Sequence, residues 1–194
     1  MLAVFLGNPG REYEATRHNI GFMLGDLAAR KLAPEGQWRD WRGLGLYLEV
    51  QIGGGKIYFL KPATYMNASG EAARSFAGFY KIAPEETLAV YDDLSLPFGS
   101  LRVRTGGSFG GHRGISSLIT ELGTQNLPRL RLGIGPRPER VEAKDFVLGK
   151  FSKEEAVLLP GFLGRALQVL EAVVETGPES AMNRYNNAGD KPVS

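Results

Sequence analysis

The chain has 194 residues, 43% hydrophobic and 23% charged, with a formal net charge of +2, a balance that suits one globular domain with a full core. No uninterrupted apolar run approaches the ~20 residues that span a bilayer, and the N-terminal MLAVFLGNPG lacks the basic region of a signal peptide. The absence of cysteine excludes disulfides, thiolate metal sites and a cysteine nucleophile, and fits a reducing compartment.

Ala3-Val4-Phe5-Leu6 reads as a buried strand, closed by the turn Gly7-Asn8-Pro9-Gly10. Asn19 is placed to cap a helix running to about Leu32, with Ile20, Met23, Leu24, Leu27 and Leu32 on one face. Residues 33–45 read as an exposed loop docked by Trp38 and Trp41. Leu46 to Ile52 and Lys56 to Leu60 flank Gly53-Gly54-Gly55 as a hairpin. A helix follows from about Asn67 to Tyr80, with Ala72, Ala73, Phe76, Phe79 and Tyr80 as its apolar face. Thr87 to Tyr91 is a strand ending in Asp92-Asp93, and Leu101 to Arg104 a short strand with alternating basic residues. A glycine loop from Gly106 to Gly111 leads into a helix from near His112 to about Leu122. Leu130 to Ile134 is a further strand, and residues 135–142 form a Pro/Arg turn region. Ser152 and Glu155 make a capping box for a long helix, which Pro160-Gly161 is expected to kink or interrupt and Gly177-Pro178 to end. A last short helix covers Glu179 to Tyr185. Strands alternate with helices, and the hairpin breaks a purely parallel pattern. The expected fold is α/β: a single domain over residues 1–194, with a mixed, twisted β-sheet and helices on both faces.

Charge is unevenly spread. Residues 102–150 hold nine Lys/Arg against four Asp/Glu. Such an excess suits a phosphate-bearing partner, and an ordinary solvated face explains it equally well.

Chemistry-bearing residues gather in Leu6 to Gly21, LGNPGREYEATRHNIG, between a strand and a helix. Asn8, Asn67 and Asp92 each follow a predicted strand, and parallel strands bring such positions to one crevice. His18 and Asp92 pair naturally as a base and its orienter; packing and capping are their structural alternatives. Asn8 and Asn67 donate and accept without charge, which suits an ester or peptide backbone but also a turn or helix cap. Tyr13 and Tyr65 serve either as half-buried packing or as stacking surfaces for a base or sugar. Gly106-x-Ser108-x-Gly110 matches a nucleophile elbow, yet the required order Ser, acid, His fails, because only His112 follows Ser108. No metal is expected: the two histidines stand far apart at positions 18 and 112, and Asp92-Asp93 has no supporting acidic cluster to hold magnesium.

GNPGREYEATRHNIG, KPATYMNASG, YDDLSLPFG, GGSFGGHRG, RLRLGIGPR and FVLGKF resemble the bacterial peptidyl-tRNA hydrolase family, in family order over nearly the whole chain. The resemblance implies a cytoplasmic, monomeric, cofactor-independent enzyme. It would cut the ester between a peptide and the 3′ end of its tRNA, recycling tRNA from stalled translation. It implies no membrane partner and no metal. By the same resemblance, His18 matches the general base and Asp92 the carboxylate that supports it. Asn8 matches the residue that separates N-blocked from free aminoacyl-tRNA. Asn67, beside Met66, matches the residue that contacts substrate and holds the water. Tyr13 and Tyr65 match aromatic tRNA contacts, and Arg104 and Arg131 the basic pair that clamps the tRNA 5′ phosphate.

Two positions depart from the family pattern. Arg113 stands where the family usually has asparagine, and Ser95 where many relatives have a second acid. A non-catalytic RNA-binding protein on the same fold is the alternative reading. The joint presence of His18, Asp92 and Asn8 argues against it.

Overall fold

The computed structural model describes residues 1–186; residues 187–194 of the expected domain lie outside them. Seven strands form one mixed sheet: β1 (Leu2–Phe5), β2 (Arg39–Trp41), β3 (Gly45–Ile52), β4 (Gly55–Pro62), β5 (Thr87–Pro97), β6 (Leu101–Arg104) and β7 (Arg129–Gly135). Their spatial order is β2-β3-β4-β1-β5-β7-β6. β1 lies parallel to both β4 and β5, and β5 parallel to β7. β2 and β3 add antiparallel strands at one end, and β6 closes the other.

Among the described residues six α-helices cover the sheet: α1 (Ile20–Leu32), α2 (Ser69–Tyr80), α3 (Arg113–Leu122), α4 (Ala143–Leu148), α5 (Lys153–Thr176) and α6 (Pro178–Asn186). Side chains alternate along β1 in the two-residue period of a strand. Ala3 and Phe5 join one core with Leu24 of α1 and Phe162 and Leu170 of α5. Leu2 and Val4 join a second core with Phe76 of α2 and Leu118 of α3. A strand buried on both faces reads as an unbroken apolar run, which is why LAVFL carries no polar alternation.

Several elements differ from the sequence expectation. The exposed 33–45 loop contains β2, whose Trp41 is buried among the rings of Tyr47, Phe76, Phe79 and Tyr80. The buried face of α1 is narrower than predicted. Met23, Leu27 and Leu32 are only partly buried, while Gly21 lies against the Leu6 carbonyl and Gly25 against the Phe5 ring. Pro160 neither interrupts nor ends α5, which runs unbroken from Lys153 to Thr176. The proline faces solvent, and Phe162, Ala166, Leu170 and Val173 bury the helix beyond it. By length and composition α5 passes as a membrane span, but this buried face packs it on the sheet. α4 begins directly after the 135–142 turn region, in a stretch where the sequence predicts no element.

The β6 edge is covered by the end of α6. The Asn186 amide accepts from Val103 N at 2.9 Å and donates to Val103 O at 2.9 Å, and Arg102 donates to the Asn186 carbonyl.

Candidate active site

β1 and β5 are adjacent and parallel, so the loop leaving β1 passes over the C-terminal half of β5. His18 sits on that loop, in a 3-10 turn over Arg17–Asn19. The turn is pinned from outside. Arg17 donates its backbone N–H to Gly149 O and its guanidinium to Lys150 O and Glu155, and stacks over the Phe146 ring. α4 and the start of α5 therefore buttress the loop that carries His18.

Asp92 lies within β5 rather than past its end, because β5 continues to Pro97. The His18 Nδ1 is 2.8 Å from Asp92 Oδ1 and 2.9 Å from Oδ2. The carboxylate side chain is 1% exposed. A third group completes this arrangement: His112 Nε2 lies 3.1 Å from the same Asp92 Oδ1. His112 is the N-cap of α3, and its Nδ1 accepts from Ile115 N at 3.3 Å. That bond requires a lone pair on Nδ1, so the proton sits on Nε2 and points at Asp92. An N–H on His18 Nδ1 then leaves Nε2 as the free lone pair, with no protein partner among the described residues. Burial alone would raise the Asp92 carboxyl, but the charge and hydrogen bonds of His18 and His112 hold it well below the usual carboxylate range.

Asn8 is positioned from both sides. Asn19 does not cap α1 with its side chain, as its place before the helix suggested. Its amide instead accepts from Asn8 N at 2.8 Å and donates to Asn8 O at 2.9 Å. The Asn8 Oδ1 accepts from Met66 N at 2.9 Å, which leaves its NH2 as the donor on the cleft side. Asn67 stands in the 3-10 turn Met66–Ala68, exposed and uncapping, since Ala68 precedes α2.

These residues line a cleft of about 1010 Å³ together with Tyr13, Tyr65, Arg104 and Arg131. Every predicted site residue is thus brought to one place. Arg104 is exposed, whereas Arg131 is half-buried and shared with Asp93 at 2.5 Å and Ser95 at 3.2 Å. Ser95 therefore helps orient Arg131 by way of Asp93, to which it also donates. Arg113 lines both the cleft and a shallower hollow beside Asn67. Both ring nitrogens of His112 are engaged, and among the described residues no side chain is hydrogen-bonded to the Ser108 hydroxyl, which argues against the nucleophile elbow.

The structure adds residues that sequence reasoning passes over. His112 is visible as the second histidine, bordering the glycine loop, but its partner lies in another strand. Asn19 reads locally as a cap. Arg129 is 4% exposed and holds the glycine loop through the carbonyls of Gly107 and Ser108. The separation of the two histidines also proves no obstacle to a close donor set. His18, Asp92 and His112 have ligand atoms within 4.8 Å of one another, a spacing a divalent ion can bridge.

The family model described as peptidyl-tRNA hydrolase matches residues 2–192. A peptidyl-tRNA hydrolase of Elusimicrobium minutum is 45% identical over 185 residues, covering 95% of this chain and 98% of that one. One from Aquifex aeolicus is 44% identical, covering 95% of each chain. The crystal structure of the Acinetobacter baumannii peptidyl-tRNA hydrolase superposes with a TM-score of 0.88 at 36% identity, covering 97% of this chain and 95% of that one.

Proposed function

The chain belongs to the peptidyl-tRNA hydrolase family, and from that membership we propose how its residues divide the work of hydrolysing peptidyl-tRNA. The observation that carries the proposal is the His18–Asp92 pair at 2.8 Å, with His18 Nε2 free. Nε2 takes a proton from water, and the resulting hydroxide attacks the ester carbonyl that joins peptide to tRNA. Asp92 stabilises the imidazolium as it forms, and His112 keeps Asp92 in register. The Asn67 amide donates to the tetrahedral oxyanion. As that intermediate collapses, the imidazolium returns its proton to the departing ribose oxygen. No metal or cofactor takes part in this scheme.

Asn8 reads the acyl group. Its cleft-side NH2 can donate to the carbonyl of an N-blocked residue. A free aminoacyl group presents an ammonium there, which cannot accept. Arg104 and Arg131 bind the 5′ phosphate beside the acceptor stem, and Tyr13 and Tyr65 contact the 3′ end. The enzyme acts as a monomer in the cytoplasm, where translation makes its substrate.

The test is release of acyl-amino acid from N-acetylated aminoacyl-tRNA, with free aminoacyl-tRNA and His18→Ala in parallel. Cleavage of the blocked substrate alone, reduced at least about hundredfold in His18→Ala, is expected. Full activity in His18→Ala would remove the histidine from the mechanism. In the intact enzyme KM should rise with salt, with a slope that Arg104→Ala lowers by about 1.

A further inference from the structure

Phe109 is 50% exposed and lines the cleft, yet no role in the hydrolytic scheme falls to it. An exposed ring alone means little. What distinguishes Phe109 is how firmly its backbone is held. On one side, Arg129 grips the carbonyls of Gly107 and Ser108. On the other, Phe109 O accepts from His112 N at 2.9 Å across Gly110 and Gly111, whose φ values are +56° and +80°. That is a type I′ turn, which two glycines adopt without strain. His112 is in turn bonded to Asp92. The ring is therefore displayed from a frame tied to the catalytic carboxylate.

Phe109 also lacks the neighbours that explain other exposed rings. Phe79 is 59% exposed but packs on Trp41 and Tyr80. Among the described residues Phe109 has no ring or cation partner. A second exposed ring, Tyr65 at 62%, lines the same cleft from the β4–α2 connection. It is similarly fixed, with Met66 N bonded to Asn8 and Tyr65 O accepting from Ala68 N. Arg104, Arg113, Arg131 and Lys144 line the cleft around them. Two displayed rings among cations fit a planar base flanked by phosphates better than an aliphatic side chain.

We propose that Phe109, together with Tyr65, forms a stacking platform for the base of the nucleoside that carries the scissile ester. This rests on the hydrolase reading and makes Phe109 a specificity-determining residue for that reaction. Stacking is tolerant of base identity, so the platform measures the presence of a base and its distance from the ester. A backbone that is already held leaves only the side chain to be ordered when the base stacks.

The experiment uses two N-acetylaminoacyl-tRNAs, identical except that the terminal nucleotide keeps its base in one and is abasic in the other. The wild-type protein should cut the intact substrate with kcat/KM about five- to hundredfold higher. Phe109→Leu should reduce that preference while leaving the abasic substrate unchanged, and Phe109→Tyr should restore it. The ring is half exposed, so an unchanged melting temperature in Phe109→Leu verifies folding. Equal cleavage of both substrates by the wild type overturns the proposal, as does an equal loss on both in Phe109→Leu. Cleavage of neither substrate by the wild type would sink the hydrolase reading itself.

Discussion

A buried carboxylate is costly unless its oxygens are satisfied, and Asp92 meets that need with two imidazoles rather than a lysine or arginine. The two imidazoles satisfy its oxygens and hold it ionised, so it can stabilise a proton arriving on His18. On this view His112 is a positioning residue. His112→Ala is expected to lower kcat about ten- to hundredfold with little change in KM, because a small misplacement of Asp92 carries through to the base. His112→Gln, whose amide N–H can reach the carboxylate, should recover part of the loss in steady-state assays. No recovery together with a fall in stability would reduce His112 to a helix cap. His18 and Asp92 were legible in the sequence because a histidine after a strand and an acid at the next strand are local signals. His112 and Asn19 were not, since each has its decisive partner on a different element.

At the level of elements, the site depends on how closely α2 and α3 approach. Gly70 lies against the Ser117 carbonyl, and Gly70 N donates to Ser117 Oγ at 2.9 Å. The turn bearing Met66 and Asn67 leads into α2, and His112 opens α3. A methyl group at Gly70 would wedge these walls apart. Gly70→Ala should cost about 1–3 kcal/mol in urea denaturation and raise KM, and an unchanged midpoint would mean that the helices give way freely. Such contacts explain what the periodicities could show and what they could not. Every strand but β2, the hairpin and the long helix follow from apolar spacing and turn residues. The buried face of α1 follows only at Ile20 and Leu24, because glycines and alanines fill the rest and hydrophobic patterning is blind to glycine packing. Pro160 does not interrupt α5 for the complementary reason: a breaker weighs little when the residues after it have a sheet to lie on.

For the molecule as a whole, charge and topology act together. Of the basic residues in 102–150, Arg104, Arg113, Arg129, Arg131 and Lys144 line the cleft, and the β6–β7 register sets Arg104 opposite Arg129. Composition revealed the excess, but only the register made it a surface. The same β6 is also the outermost strand, and its far side would otherwise offer a bare ladder to any passing chain. Asn186 meets Val103 with one acceptor and one donor, the same pair of groups a neighbouring strand would present. Asn186→Ala should therefore leave the fold intact but produce concentration-dependent self-association in analytical ultracentrifugation; a variant that stays monodisperse would show that other groups guard the edge. Among the described residues, a side-chain amide borrowed from the end of α6 thus plays the part of an eighth strand at Val103.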